Sequence, residues 1–310
     1  MKFFAYEADD GAAIGVVAGE RYVAVHEVAP DLPRSLKHAL ELPHGLERIA
    51  AVTAGKPATH ALDGVRFLPP IDAPNAIWAL ALNFALHREE TGLSTSPQHP
   101  HIFLRHAGSM VGAGQPLCNP PAELSQEHDY EGELGVVIGR AGRHIPVERA
   151  LEHVAGFTCV NEGSVREFQR HNRNFGLGKN FEQSGSYGPW LVTPDEFGPV
   201  GTHTLVTRLN GVERQHVQLD AMVFSVEQVI AYLSTGHRLR PGDVIAMGTP
   251  GALPPHPGET IDPSRQRTRH LTMSGKSSMQ PGDVVEVEIS GIGTLRNPLA
   301  ADAPVAYRPG

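Results

Sequence analysis

The alternation of apolar and polar residues along this chain, cut at short intervals by Gly, Pro and Asp, predicts short strands joined by tight turns. KFFAYEADDGAAIGVVAGERYVAVHEV, residues 2–28, reads as two or three strands separated by Asp-Asp-Gly and Gly-Glu turns. A helical stretch follows, LPRSLKHALELPHGLERIAAVTAG, broken at Pro43. A proline-punctuated linker, Leu68 to Pro74, then leads into the apolar run IWALALNF. The boundary is placed there, giving a small N-terminal α/β domain over 1–70 and a larger domain over 71–310.

In the larger part, HIFLRHAGSMVGAGQPL predicts a strand ending in glycine-rich turns, and ERALEHVAGFTCVNEGS a helix leading into a strand. SVREFQRHNRN predicts a short helix. SVEQVIAYLSTG is the clearest amphipathic helix, with Gly236 as its C-cap. Two modules, RPGDVIAMGTPG (240–251) and QPGDVVEVEISGIG (280–293), share a Pro-Gly-Asp turn followed by a strand. Pro presets φ for such a turn and Gly supplies a positive φ. Between them, residues 252–279 form a polar, proline-rich extended loop. The expected class is α+β, mostly β, rather than an alternating βαβ fold.

HDYEGELGVVIG, 128–139, alternates like one long strand, yet its first half places Asp129, Glu131 and Glu133 on one face. Side chains two residues apart in a strand lie ~6.5–7 Å from each other, so like charges there repel. A solvated edge would explain them. However, the same face continues through Gly135 and Val137 into an apolar strand, which draws the acidic end toward the core. Gly132, on the opposite face, allows a close backbone approach. A divalent hard cation such as Mg²⁺, commonly held by two carboxylates with substrate oxygens and waters, would resolve the conflict. In LNFALHREETG, His87 and Glu90 stand three apart and can share a helical face. A carboxylate beside a histidine raises its basicity, which is how a water-activating base is built.

Composition narrows the field. Forty per cent apolar residues without an apolar run near 18 residues predicts no transmembrane span, and a net charge of −8 argues against nucleic acid as a partner. Asp9 and Asp10 near the start, with no cleavage signature, are unlike a signal peptide, and Cys118 and Cys159 make no metal or disulfide pattern. A cytoplasmic protein is expected. SGKS, 274–277, lacks the first glycine of a phosphate loop, since His270 stands there. FGLGKN has Phe181 where a dinucleotide fingerprint needs its third glycine.

The segments LNFALHREE, FLRHAGSMVGAG, DYEGELGVVIGRAGRHI, VAGFTCVNEGSVREFQ, LGKNFEQSGSYGPWLVTPDE, LNGVERQ, LRPGDVIAMGTPG and QPGDVVEVEISGIGTLRNPL occur in the order of the fumarylacetoacetate hydrolase family. Residues 75–300 resemble its catalytic domain, a mixed β-sheet roll or sandwich with short helices, and the first seventy its small N-terminal domain. The resemblance implies Mg²⁺ or Mn²⁺ held by Glu131, Glu133 and Glu162. It implies His87 and Glu90 as the water-activating pair, and Lys179, one of five lysines against 21 arginines, beside the reacting carbonyl. Arg166, Gln169 and Thr249 are implied near the substrate, although Arg166 could instead pair with Glu167 or Asp195, and Thr249 could cap a turn. Two positions depart from the family pattern. Glu162 stands where aspartate is usual, and Arg105 where lysine is common, which suggests a substrate with an additional carboxylate.

The implied activity is metal-dependent hydrolysis of a C–C bond in an acylpyruvate-like 2-oxo acid. Decarboxylation or isomerisation of a 2-oxo or 2-hydroxydienoic diacid in aromatic catabolism is the alternative. A non-catalytic binding protein on the same scaffold is a third reading. Relatives are commonly homodimers.

Overall fold

The structure, a computed structural model, describes residues 1–85, 97–172, 174–253 and 278–303. Two β-sheets carry it, with short helices at their margins. Among the described residues the larger sheet has twelve strands. Its central path runs from Lys2–Ala8 through Gly185–Val192, Val154–Asn161, Gly132–Ile138 and Val244–Ala246 to Ile77–Ala81 and His101–Arg105. Most pairings are antiparallel, but Val244–Ala246 runs parallel to Ile77–Ala81, so the sheet is mixed. The second sheet packs Val212–Gln218, Thr204–Leu209, Val284–Ile289, Gly293–Ala301 and Leu117–Asn119 side by side. This is the α+β, mostly β architecture expected from the sequence.

The N-terminal strands form where the alternation places them, at Lys2–Ala8, Gly11–Ala18 and Arg21–Ala24. The first joins the larger sheet through the Lys2–Val192 and Phe3–Leu191 pairs. Pro43 separates the helices Leu36–Glu41 and Gly45–Thr53. The two Pro-Gly-Asp turns are near copies. Gly242 and Gly282 adopt φ of 83° and 92°. Asp243 Oδ2 accepts the Arg240 N–H at 2.8 Å, and Asp283 Oδ2 accepts the Gln280 N–H at 2.8 Å. In each, the aspartate closes the turn that launches its strand.

Three expectations change. Residues Val147–His153 wind as a 3₁₀ rather than an α-helix. Helix Val226–Gly236 starts at a capping box of Ser225 and Gln228, but Gly236 is its last helical residue, and the chain leaves at the extended His237. The segment 128–139 is two strands, not one. His128–Asp129 pairs with Ser164–Val165 in a small sheet of its own, while Gly132–Ile138 pairs with Val154–Asn161 and Val244–Ala246. Side chains take the N–H groups that a continuous ladder would have used: Tyr130 N–H donates to Asp129 Oδ1 at 3.0 Å, and Glu131 N–H to Asn161 Oδ1 at 3.1 Å.

Gly132–Ile138 lies in the middle of the molecule and is buried at every position. Leu134, Val136 and Ile138 pack with Phe157, Leu205, Val287 and Ile289 between the sheets. Val137 faces the other way, into a cluster with Ile77, Ala79, Leu191 and the helix residues Leu36 and Ile49. Burying each of these side chains stabilises the fold by about 1.5–3 kcal/mol. Four of them in one strand outweigh the cost of carrying Glu133 inside with them. Gly132 is needed for this packing, since a Cβ there would lie 2.0 Å from Thr207 Oγ1 of the second sheet.

Candidate functional site

Glu131, Glu133 and Glu162 converge at the start of that central strand. All three are buried, at 4, 0 and 1% exposure, and one carboxylate oxygen from each lies within 4.8 Å of the others. Local structure brings Glu162 there. The Glu131 carbonyl accepts the Glu162 N–H at 2.7 Å, which continues the strand pairing one step past Asn161.

The charges around the trio are arranged in layers. Lys179 Nζ donates to Glu131 Oε2 at 2.6 Å and to Glu162 Oε2 at 2.8 Å, and lies 5.3 Å from the centre of the Phe103 ring. Arg166 bridges Glu131 Oε1, at 2.6 Å, and Asp129 Oδ2, at 2.9 Å, and donates to Gln169 Oε1 at 2.7 Å. It therefore pairs with neither Glu167 nor Asp195. Glu167, its chain neighbour, turns its carboxylate to Ser125 Oγ and the Gln126 N–H instead. Asp129, first in the acidic row by sequence, serves as the anchor for Arg166.

Arg105 does not line the cavity beside the trio. Its buried guanidinium donates to the Gly163 carbonyl at 3.0 Å and to Ser184 Oγ at 3.2 Å, and its Nη1 lies 3.8 Å from Glu162 Oε1. In this structure its guanidinium faces the carboxylate of Glu162. His128 lies deeper still, between Asn119 Oδ1 and the Ser184 carbonyl at 3.0 Å each. Burial drops its pKa to about 4, so it is neutral.

The three glutamates differ in their readiness to ionise. Burial raises all of them, but for Glu131 the adjacent Lys179 and Arg166 outweigh it and hold the carboxyl well below its usual range. Glu133 is driven far the other way, by burial and then by Glu162 and Glu131. Glu162 is raised as well, by burial against the pull of Lys179. Glu133 Oε2 accepts the Gly248 N–H at 2.8 Å, whereas Glu133 Oε1 and Glu162 Oε1 are buried without a hydrogen bond. Two orphaned carboxylate oxygens facing a third carboxylate fit a hard divalent cation, which would neutralise the repulsion and satisfy both.

A small cavity of about 40 Å³ opens on this cluster. One wall is polar, formed by Glu131, Glu162, Lys179, Arg166, Gln169 and Thr249; the other is apolar, formed by Leu80, Ala81, Leu82, Phe103 and Phe175. Hollows of about 880 and 990 Å³ lie elsewhere on the surface. Size does not mark the site; converging buried charges do. Phe175 and Leu82 both hold a positive φ, at 61° and 63°, at the cavity wall. Next to Leu82, Asn83 is bonded to Phe224 and Met247 on neighbouring segments. His87 and Glu90, four and seven positions further, lie outside the described residues, as does most of the 252–279 loop.

Residues 76–300 match the family model for the fumarylacetoacetate (FAA) hydrolase C-terminal domain. The chain belongs to the fumarylacetoacetate hydrolase family. It is 30% identical to an uncharacterized protein of Staphylococcus aureus (strain USA300), over 97% of this chain and all of that one. Among solved structures of the family, a fumarylacetoacetate hydrolase from psychrophilic Exiguobacterium antarcticum is 30% identical, with a TM-score of 0.76 over 97% of this chain and all of that one. A 5-carboxymethyl-2-hydroxymuconate delta-isomerase from Mycobacterium smegmatis is 26% identical, with a TM-score of 0.72 over the same shares. A maleylpyruvate hydrolase from Sphingobium sp. SYK-6, solved with manganese(II) and pyruvate, shares the fold at 21% identity and a TM-score of 0.76 over 98% of this chain and all of that one. The family is thus one of enzymes, with hydrolases and isomerases among the similar structures.

Sequence reasoning passed over one residue that touches the site's framework. Gln215, fully buried on Val212–Gln218, donates to Thr249 Oγ1 and accepts the Gly132 N–H. Its strand is otherwise half-exposed or exposed, so its polar sequence gave no sign that this glutamine is buried.

Proposed function

We propose that this protein is a divalent-cation-dependent hydrolase that cleaves a C–C bond in an acylpyruvate-like 2-oxo acid. The observation that carries this reading is the buried Glu131–Glu133–Glu162 trio, with its two orphaned oxygens, opening onto a cavity that Lys179, Arg166, Gln169 and Thr249 also line.

Charge counting supports an acidic ligand. Around the trio, four buried acids (Asp129, Glu131, Glu133, Glu162) face three buried bases (Arg105, Arg166, Lys179). With Glu133 protonated the set is neutral. With all four ionised and Mg²⁺ or Mn²⁺ held by the glutamates, it carries one net positive charge, which a single carboxylate neutralises. When bound, the cation supplies Lewis-acid stabilisation for negative charge developing on the 2-oxo acid.

The protein's own groups do the rest. Lys179 has used two of its three N–H donors on Glu131 and Glu162, and its third serves the oxygen of the carbonyl under attack. Gln169 and Thr249 orient the acid's head on the polar wall, and Arg166 holds Glu131 in place. Phe103, Phe175 and Leu82 exclude water from the other side. His87, assisted by Glu90, takes the proton of the attacking water, and returns it to the carbon of the 2-oxo acid that the broken C–C bond releases. Products are a carboxylate and a 2-oxo acid such as pyruvate.

A second reading, isomerisation or decarboxylation of a diacid, is favoured by the 26% identity to the M. smegmatis isomerase. Incubating Mg²⁺-loaded protein with acylpyruvates, oxaloacetate, dienedioates and 2-oxo-3-deoxy sugar acids separates the two. Release of a carboxylate from an acylpyruvate supports hydrolysis, turnover of only the diacids supports the second reading, and turnover of none supports a binding protein.

A further inference from the structure

We infer that Gln215 is a positioning residue. It sets the direction of the Thr249 hydroxyl proton and thereby tunes the cavity's affinity for the acidic head of its ligand, an inference that rests on the proposed reading of the cavity. Alone among the seven residues of its strand, Gln215 is buried, at 0% exposure. A buried amide is costly unless its groups are bonded, and here they are. Oε1 accepts the Gly132 N–H at 3.0 Å, while Nε2 donates to Thr249 Oγ1 at 2.8 Å and to the Pro250 carbonyl at 2.9 Å.

The amide can sit only one way round. The Gly132 N–H is purely a donor and the Pro250 carbonyl purely an acceptor. Rotating the amide would set two donors face to face at one end and two acceptors at the other. Nε2 therefore faces Thr249, and Thr249 Oγ1 is an acceptor in that bond. Its own proton must point elsewhere, and among the described residues no acceptor takes it. Thr249 lines the cavity next to Lys179 and the glutamates. The hydroxyl thus becomes a fixed donor to an oxygen bound there, a carboxylate or 2-oxo oxygen.

The same glutamine ties two parts of the site together. Gly132 lies between Glu131 and Glu133, and Gly248, just before Thr249, donates its N–H to Glu133. The second sheet thereby holds the acidic strand and the Gly-Thr-Pro turn in one register. A hydrogen bond from a neutral hydroxyl to a charged oxygen, once lost, costs about tenfold in affinity.

The test is pyruvate titrated calorimetrically into Mn²⁺-loaded wild-type protein, Gln215→Met, Thr249→Val, Thr249→Ser and the Gln215→Met/Thr249→Val double variant, with Mn²⁺ affinity measured separately. The expected result is about tenfold weaker pyruvate binding for each of Gln215→Met and Thr249→Val, no further loss in the double variant, and wild-type binding by Thr249→Ser. Should Gln215→Met not fold, Gln215→Glu, which retains the shape and the acceptor for Gly132, takes its place in the cycle. Losses that multiply in the double variant, or a Gln215 variant that binds pyruvate like wild type, overturn the inference while leaving the proposed function standing. A wild-type protein that binds Mn²⁺ but not pyruvate removes the reading beneath it, and the inference with it.

Discussion

Replacing Glu133 with glutamine should stabilise the metal-free protein and at the same time abolish its response to Mg²⁺. The carboxylate oxygens of Glu131, Glu133 and Glu162 lie within 4.8 Å of one another. At an effective dielectric of ~20, each ionised pair repels by at least about 3.5 kcal/mol, so Glu133 faces about 7 kcal/mol from its two neighbours. Lys179 offsets part of this, but its contacts are to Glu131 and Glu162. Holding Glu133 protonated from its ordinary range to pH 7 costs at most about 3.5 kcal/mol. The proton is the cheaper solution, in agreement with the upward shift of this group by burial, Glu162 and Glu131.

The sign follows from linkage. A carboxyl raised in the folded state favours folding at low pH, and that contribution is lost as pH rises above the ordinary glutamate range. Glutamine never ionises, keeps an oxygen for the Gly248 N–H, and directs its amide at the neighbouring carboxylates. Glu133→Gln should therefore gain on wild type as pH rises, reaching up to about 3.5 kcal/mol at pH 7 in EDTA. Urea unfolding followed by tryptophan fluorescence measures this. Added Mg²⁺ should then raise the midpoint of wild type but not of the variant, inverting their order at saturating metal. A variant less stable than wild type in EDTA at pH 7 would refute the repulsion argument. Equal Mg²⁺ stabilisation of both would refute the trio as the cation site.

Other perturbations test the surrounding framework. Asp129→Ala leaves Arg166 without its second anchor in the interior and should cost about 3–5 kcal/mol in the same urea assay; a loss below 1 kcal/mol would show that Glu131 and Gln169 suffice. Gly132→Ala forces a methyl to 2.0 Å from Thr207 Oγ1 across two packed sheets and should cost at least about 2 kcal/mol. It should also lower Mg²⁺ affinity, since the strand must shift between its two glutamates. His128, with its pKa near 4, binds its proton only in the unfolded chain over the window from about 6.5 to 4. Wild type should thus lose about 2 kcal/mol relative to His128→Gln between pH 7 and pH 5, and parallel pH profiles would overturn that account.

The local sequence determined much of this molecule. Alternation placed the N-terminal strands, Pro43 divided the helices, and two Pro-Gly-Asp turns launched their strands, because these features depend on residues within a few positions of one another. That Glu133 shares a face with Gly135 and Val137 was legible for the same reason, and so was the need for glycine at 132. Resemblance to the family supplied Glu162 and Lys179. What alternation could not show is where partners lie across the chain. Asp129 looked equivalent to the two glutamates, yet Arg166, 37 positions on, draws it out of the row and breaks the strand. Arg105 meets Glu162, 57 positions away along the chain, which its place in the F-L-R segment did not show. Gln215 joins residues 132 and 249 from another sheet. A side chain's periodicity fixes the face it presents, but only the packing of one sheet on another decides which charges meet there, and in a buried site those meetings set protonation, metal fit and chemistry alike.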